Sequence, residues 1–158
     1  MSQLLLLICL VLLAGIFAIL FLYSHTLMRA LAKTDDATFV KSFQAIDSHI
    51  TNPLFFLQFF GPIIVLGIAA YQAVTSDFSG AWYVYAALAS YVAGVVLTMV
   101  VNVPLNDGIK RVTDVTTAAS LAAARKAFNE RRWVRANHVR TATSLVATLC
   151  IAKAITLL

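Results

Sequence analysis

Charged side chains are missing from long parts of this 158-residue sequence. The segment 4–23 carries none, and Asp77 is the only acidic or basic residue between Leu54 and Asn106. A helix needs about 20 consecutive, mostly apolar residues to cross a bilayer. Four segments approach or reach that length, at about 4–23, 54–74, 81–103 and 139–158. We therefore predict an all-α fold with a single domain over 1–158. It is a membrane four-helix bundle with additional interfacial helices on the cytoplasmic side.

The sequence also has few residues of the kinds that form disulfides, metal sites or phosphate-binding loops. Its two cysteines, Cys9 and Cys150, lie in apolar segments and have no CxxC spacing, and no glycine-rich loop is present. The three histidines, His25, His49 and His138, lack the HxH or HxxxH spacing that places two imidazoles together. We therefore expect no metal site, and a haem- or metal-binding membrane protein is the third alternative for function.

The basic residues are distributed unevenly, although the net charge is +5. Eleven of the twelve lysines and arginines follow the first or the third apolar segment, and Lys153 is the exception. If all four segments cross the membrane, these two connections share one side, and the positive-inside rule makes that side cytoplasmic. Both termini are then outside. Topology and anionic headgroups explain the basic surface, so we expect no nucleic-acid partner. The sequence is compatible with a homo-oligomer.

Two connections contain helix signals of their own. Asp35 or Asp36 can cap an amphipathic helix over about 37–49, and an alanine-rich helix is predicted over 115–128. In the first of these, four apolar residues recur every three or four positions: Phe39, Phe43, Ile46 and Ile50. We expect this helix to lie on the membrane surface or at the mouth of the bundle.

A polar motif, Asn102-Val103-Pro104-Leu105-Asn106, closes the third apolar segment. Proline removes a backbone donor and clashes with the preceding turn, so we expect the third helix to end near Val103. Such a break at membrane depth frees backbone carbonyls, which need new partners. The simpler interpretation is that the two asparagines cap this helix and tie it to the fourth.

A second polar cluster opens the last apolar segment. Trp133, Asn137, Arg140 and Ser144 follow one another at intervals of four, three and four residues, which places them on one helical face. In one interpretation, Arg140 extends to the headgroup phosphates. In the other, this face points inward and binds a planar ligand that bears oxygen. The indole then stacks on the ligand and the guanidinium stabilises an oxyanion.

With these motifs the chain resembles the anthrone oxygenase-like family of small four-helix integral membrane proteins, which includes fungal enzymes and many bacterial members. The resemblance covers nearly the whole chain and includes Thr98, Asn52-Pro53 and the segment 43–47. It implies oxidation of anthrones to anthraquinones with O₂, without metal or flavin, and for a bacterial member it implies the inner membrane. The family usually has Met-Gln followed by an asparagine here, whereas this chain has Phe43-Gln44 and Asp47. Asp47 adds a candidate base.

The resemblance and the chemistry of anthrones together suggest roles for nine residues. The catalytic candidates are Arg140, Asp47, His138, Asn102 and Asn106. The substrate-binding candidates are Gln44, Trp133, Asn137 and Thr98. Asp47 or His138 would take the proton, and Arg140 with the two asparagines would hold the oxyanion. We expect no cofactor, a hydrophobic small-molecule substrate or lipid as the ligand, and the bilayer as the surroundings.

A function of a different class fits the same residues. A non-enzymatic membrane module that binds a lipid or quinone, or that supports a partner protein, would use this polar face as hydrogen-bonding contacts between helices.

Overall fold

The computed structural model describes all 158 residues and contains six helices and no strands, which confirms the all-α prediction. The six helices are α1 (Gln3–Leu31), α2 (Asp36–Ile50), α3 (Pro53–Val74), α4 (Ala81–Lys110), α5 (Ala118–Phe128) and α6 (Glu130–Ile155). By length and composition, α1, α3 and α4 can each cross a membrane. The predicted fourth span corresponds to the second half of α6, and it stays a prediction.

The long helices pack around a core of apolar side chains that repeat every three or four residues. On α1 the buried positions include Leu6, Cys9, Leu13 and Ile16, and they are fully buried. α6 packs against both α1 and α4, and α3 packs against the same two helices. The four long helices therefore form one bundle, and α6 shares its apolar side with two candidate spans.

The two shorter helices, α2 and α5, cover one end of the bundle. Asp35 caps α2 by accepting hydrogen bonds from the Thr38 amide and hydroxyl, and these bonds lower the pKa of its carboxyl group.

Phe43 on α2 packs against Phe128 on α5, with ring centroids 4.6 Å apart. Arg125 lies 4.4 Å from the centre of the Phe39 ring. The apolar stripe of α2 thus faces the bundle and α5 and does not lie on the membrane surface alone.

The third long helix does not end at Pro104, and the expected boundary near Val103 is wrong. A π turn at Thr98–Asn102 precedes the proline, and the helix then continues to Lys110. In this turn the Val103 amide bonds to the Thr98 carbonyl, five residues back. The wider turn displaces the carbonyl that a proline ring would otherwise meet, so the helix accommodates Pro104 without breaking.

Candidate functional site

A cavity of about 290 Å³ lies at the end of the bundle that α2 covers. Residues from five helices line it: α1, α2, α3, α4 and α6. Seven of the nine residues predicted from the sequence are among them. These are Asp47, Thr98, Asn102, Asn106, Trp133, Asn137 and Arg140. The volume is near the lower end of the roughly 300–1,000 Å³ typical of small-molecule sites.

The inward-facing side of α6 supplies one wall of this cavity. Trp133, Asn137, Arg140 and Ser144 are all buried, which confirms that their spacing places them on one inner face of the helix. Three of them line the cavity, and Ser144 lies just beyond Arg140, beside a small neighbouring pocket. The guanidinium of Arg140 therefore does not extend to the headgroups, and the interpretation that it reaches the membrane surface is wrong.

A chain of hydrogen bonds joins α6, α4 and α2 across the cavity. Trp133 Nε1 donates to Asn106 Oδ1 at 2.7 Å, and Asn106 Nδ2 donates to Asp47 Oδ1 at 2.7 Å. Lys110 Nζ lies 3.0 Å from the other carboxylate oxygen of Asp47 and 3.1 Å from Asp107 Oδ1. This series, which we call the polar chain, fixes the orientation of the Asp47 carboxylate. It runs from the buried indole to a lysine that reaches the surface.

Arg140 has no such partner. Its side chain is 7% exposed, it forms no ion pair, and its Nε is buried without a hydrogen bond. No salt bridge of the protein includes it. A buried polar group without a partner typically costs about 1–3 kcal/mol, and more if it is charged. A ligand oxygen that carries negative charge would satisfy this guanidinium.

Two asparagine carbonyls of the residues that line the cavity are also unsatisfied. The Asn102 amide donates to the Trp133 carbonyl at 3.3 Å, and the Asn137 amide donates to the Leu20 carbonyl at 3.0 Å and to the Ser24 hydroxyl at 2.7 Å. These bonds leave Asn102 Oδ1 and Asn137 Oδ1 buried with no donor. The residues that line the cavity thus include one unpaired cationic donor and two unpaired acceptors.

Thr98 lines the cavity within the π turn. Its hydroxyl donates to the Gly94 carbonyl at 2.9 Å, so its hydrogen is already used inside the helix. π turns occur frequently at functional sites because they redirect neighbouring side chains. Here the turn directs Thr98 and Asn102 inward together.

Gln44 and His138 lie outside the cavity, which corrects the expectation that they belong to the site. Gln44 donates to the carbonyls of Ile109 and Val112, at 2.8 and 3.0 Å, because its position on α2 faces the end of α4. His138 follows Asn137 in sequence and is exposed, since neighbouring residues of a helix point about 100° apart.

The histidines do not converge on a common centre. His25 Nδ1 donates to the Phe21 carbonyl at 2.9 Å, and His49 Nδ1 donates to the Ala45 carbonyl at 2.8 Å, each within its own helix. No group of three or more His, Cys, Asp or Glu side chains is arranged to hold a metal ion.

The sequence does not mark Lys110, Ser24 and Tyr23 as residues of the site. Lys110 follows Asn106 by four residues, so both lie on one face of α4, but the expected break at Pro104 hid this relation. Ser24 lies in a second π turn, Tyr23–Leu27, and its hydroxyl accepts a hydrogen bond from the Asn137 side-chain amide. Tyr23 lines the cavity beside it. No motif marks these two residues, because the packing of α1 against α6 is what brings them to the site.

Comparison with known proteins places these residues in a family context. A family model described as anthrone oxygenase matches residues 55–150, which is more than half of the chain. The match includes the cavity residues of α3, α4 and α6 and begins after Asp47. No curated protein and no solved structure matches the chain.

Proposed function

Because this chain belongs to the anthrone oxygenase family, we propose that it is a cofactor-independent membrane oxygenase. Its substrate would be a planar, hydrophobic phenol or anthrone, and its oxidant O₂. One observation carries the proposal. A buried guanidinium without a partner lines an apolar cavity, and a carboxylate held by a hydrogen bond and an ion pair lines the same cavity.

The reaction balances without a cofactor. A ring CH₂ and one O₂ give a ring C=O and one H₂O. Removal of a C–H proton leaves a carbanion whose charge spreads onto the ring oxygen, and this electron-rich anion reduces O₂ as a C–O bond forms. The O–O bond then breaks as the second C–H hydrogen is lost, and water leaves.

Two residues carry the main proposed roles. Asp47 takes the first proton, since its carboxylate lies in the cavity and is held by Asn106 and Lys110. Arg140 stabilises the charge that develops on the ring oxygen, since its guanidinium has no competing partner. Catalysis of this kind relies on donors that are already in place before the charge forms.

The unpaired asparagine carbonyls suggest which substituents are preferred. Asn102 Oδ1 and Asn137 Oδ1 are free acceptors, so a ligand with hydroxyl groups that reach them would be preferred. Trp133 contributes a wall of the cavity and, through Nε1, holds Asn106.

The topology belongs to the same proposal. We place both termini outside the cytoplasm and the α2–α5 end inside it, in a bacterial inner membrane, with residues 1–158 as one domain. The support is the basic residues concentrated at that end, of which Lys110 and Arg125 make ion pairs. The cavity would then open near the cytoplasmic leaflet.

The test is O₂ uptake with 1,8-dihydroxyanthrone, using membranes from cells with and without the protein and a metal chelator present. We expect uptake above the spontaneous rate with the wild type. Arg140→Lys should retain the fold, but its rate of O₂ uptake should fall about a hundredfold or more, because lysine lacks the planar guanidinium fork. Lys153→Ala, near the far end of α6, is the matched control and should leave the rate of O₂ uptake unchanged.

A binding module without catalysis is the second candidate, and one observation favours it. Asn137 joins α6 to α1 through Leu20 and Ser24, which is the behaviour of a structural contact between helices. Wild-type membranes that bind the dihydroxy compound but take up no extra O₂ would favour this candidate over the oxygenase.

A further inference from the structure

We propose that the cavity opens sideways into the bilayer between α3 and the π turn of α4, and that its ligand enters through this opening. The inference rests on the proposed function for the chemical class of the ligand, which is an uncharged, planar aromatic molecule dissolved in the membrane. We call the opening the lateral portal and define it by Phe56 and Phe60 on α3 and Met99 and Val103 on α4.

These four side chains combine two properties. All line the cavity, and all are exposed: Phe56 by 46%, Phe60 by 37%, Met99 by 44% and Val103 by 36%. Both helices are candidate membrane spans, so an exposed apolar side chain on them faces lipid. A side chain that contacts both the cavity and the lipid marks the place where one opens into the other.

The π turn explains how one short segment forms both the site and its rim. Thr98 and Asn102 are buried and face the cavity, whereas Met99 is exposed but still lines the cavity. Val100, the next residue, is 64% exposed and does not line the cavity. Residues 99 and 100 therefore differ in access to the cavity although both face outward.

The cavity also has a polar side that suits this ligand poorly. There Asp107 and Lys110 form the exposed end of the polar chain, and Lys110 pairs with the buried Asp47 carboxylate. An uncharged polycycle entering there would displace water from paired charges without replacing their hydrogen bonds, which is unfavourable. We assign this side to exchange of protons with water.

The portal's aromatic rings suit a flat ligand. The Phe56 and Phe60 rings lie nearly parallel, with centroids 6.2 Å apart, and Phe55 and Phe59 stack in the same way at 5.7 Å. Offset contacts between aromatic faces stabilise a pair by about 0.5–1.5 kcal/mol beyond burial of area. A planar molecule sliding between the two helices keeps such contacts along its path.

Binding kinetics test the portal without depending on turnover. The probe is 1,8-dihydroxyanthraquinone, which has no CH₂ to oxidise, and the full chain is reconstituted in phosphatidylcholine vesicles. Met99→Trp should narrow the portal, so the association and dissociation rates should both fall about tenfold while Kd changes less than twofold. A barrier on the only path slows both directions equally. Val103→Trp should act in the same way, and Val100→Trp should have no effect.

Several outcomes would overturn the proposal. If Met99→Trp and Val103→Trp raise Kd and speed dissociation, these residues are cavity wall and not a gate. If both leave the rates unchanged while Lys110→Trp slows them, the ligand enters from the polar side. If the wild type does not bind the probe, the portal does not serve this class of ligand. Slowed binding together with a lack of O₂ uptake would support the portal and overturn only the oxygenase.

Discussion

Replacing Asn106 with alanine tests the polar chain as a structural and functional unit. Asn106 is its central member, since its amide donates to Asp47 at 2.7 Å and its carbonyl accepts from Trp133 at 2.7 Å. Asn106→Ala removes both hydrogen bonds at once. The Trp133 indole, 3% exposed, is left as a buried donor with no acceptor.

The expected loss of stability follows from these two bonds. A hydrogen bond to a charged group contributes roughly 1.5–3 kcal/mol, and a buried donor left unsatisfied costs about 1–3 kcal/mol. Because the two terms share one side chain they do not add fully, and we expect the free energy of unfolding to fall by about 2–4 kcal/mol. That is a large part of the roughly 5–15 kcal/mol by which domains are stable.

The assay is reversible unfolding of the purified protein in mixed micelles, followed by circular dichroism. Gln72→Ala is the control, because this amide at the opposite end accepts only one exposed hydrogen bond, from the Ser2 amide. We expect it to change stability by about 0.5 kcal/mol or less. A loss below about 0.5 kcal/mol for Asn106→Ala, or an equal loss for both variants, would refute the polar chain as a unit.

Three further results are expected. Asp47→Asn should keep the fold but abolish most O₂ uptake, because an amide cannot take the proton; turnover equal to the wild type would exclude Asp47 as the base. Gly94→Ala should lower the free energy of unfolding by about 1–3 kcal/mol in the same assay, since a Cβ would lie 2.5 Å from Thr143 Oγ1. Adding Thr143→Ala to this variant removes that oxygen and should restore most of the lost stability. Reporter fusions after Leu158 should be outside and fusions near Lys33 inside the cell, and a cytoplasmic C-terminus would contradict the proposed topology.

The parts of the site that lie on one continuous helix were predictable from the sequence. Trp133, Asn137 and Arg140 share a face because of their spacing alone, and that face is buried. The N-cap at Asp35 and the apolar stripe of α2 were also predictable, since both depend on residues close in sequence. Local periodicity determines these features.

Features that depend on packing between helices were not predictable. The expected break at Pro104 was wrong because a π turn absorbs the proline, and this error concealed the link from Asn106 to Lys110. Gln44 was misplaced because the apolar stripe indicates the rotation of α2 only roughly and does not tell which of Gln44 and Asp47 faces the cavity. That rotation directs Asp47 into the cavity and Gln44 toward the end of α4.

The fate of isotopically labelled oxygen shows directly whether this protein is an oxygenase. Purified protein, with chelator present, is supplied with ¹⁸O₂ and 1,8-dihydroxyanthrone, and the quinone formed above the protein-free background is analysed by mass spectrometry. We expect one ¹⁸O atom in the new carbonyl of that excess product, and we expect Arg140→Lys to lose the excess. An unlabelled carbonyl, or quinone formed no faster than without the protein, would contradict this expectation.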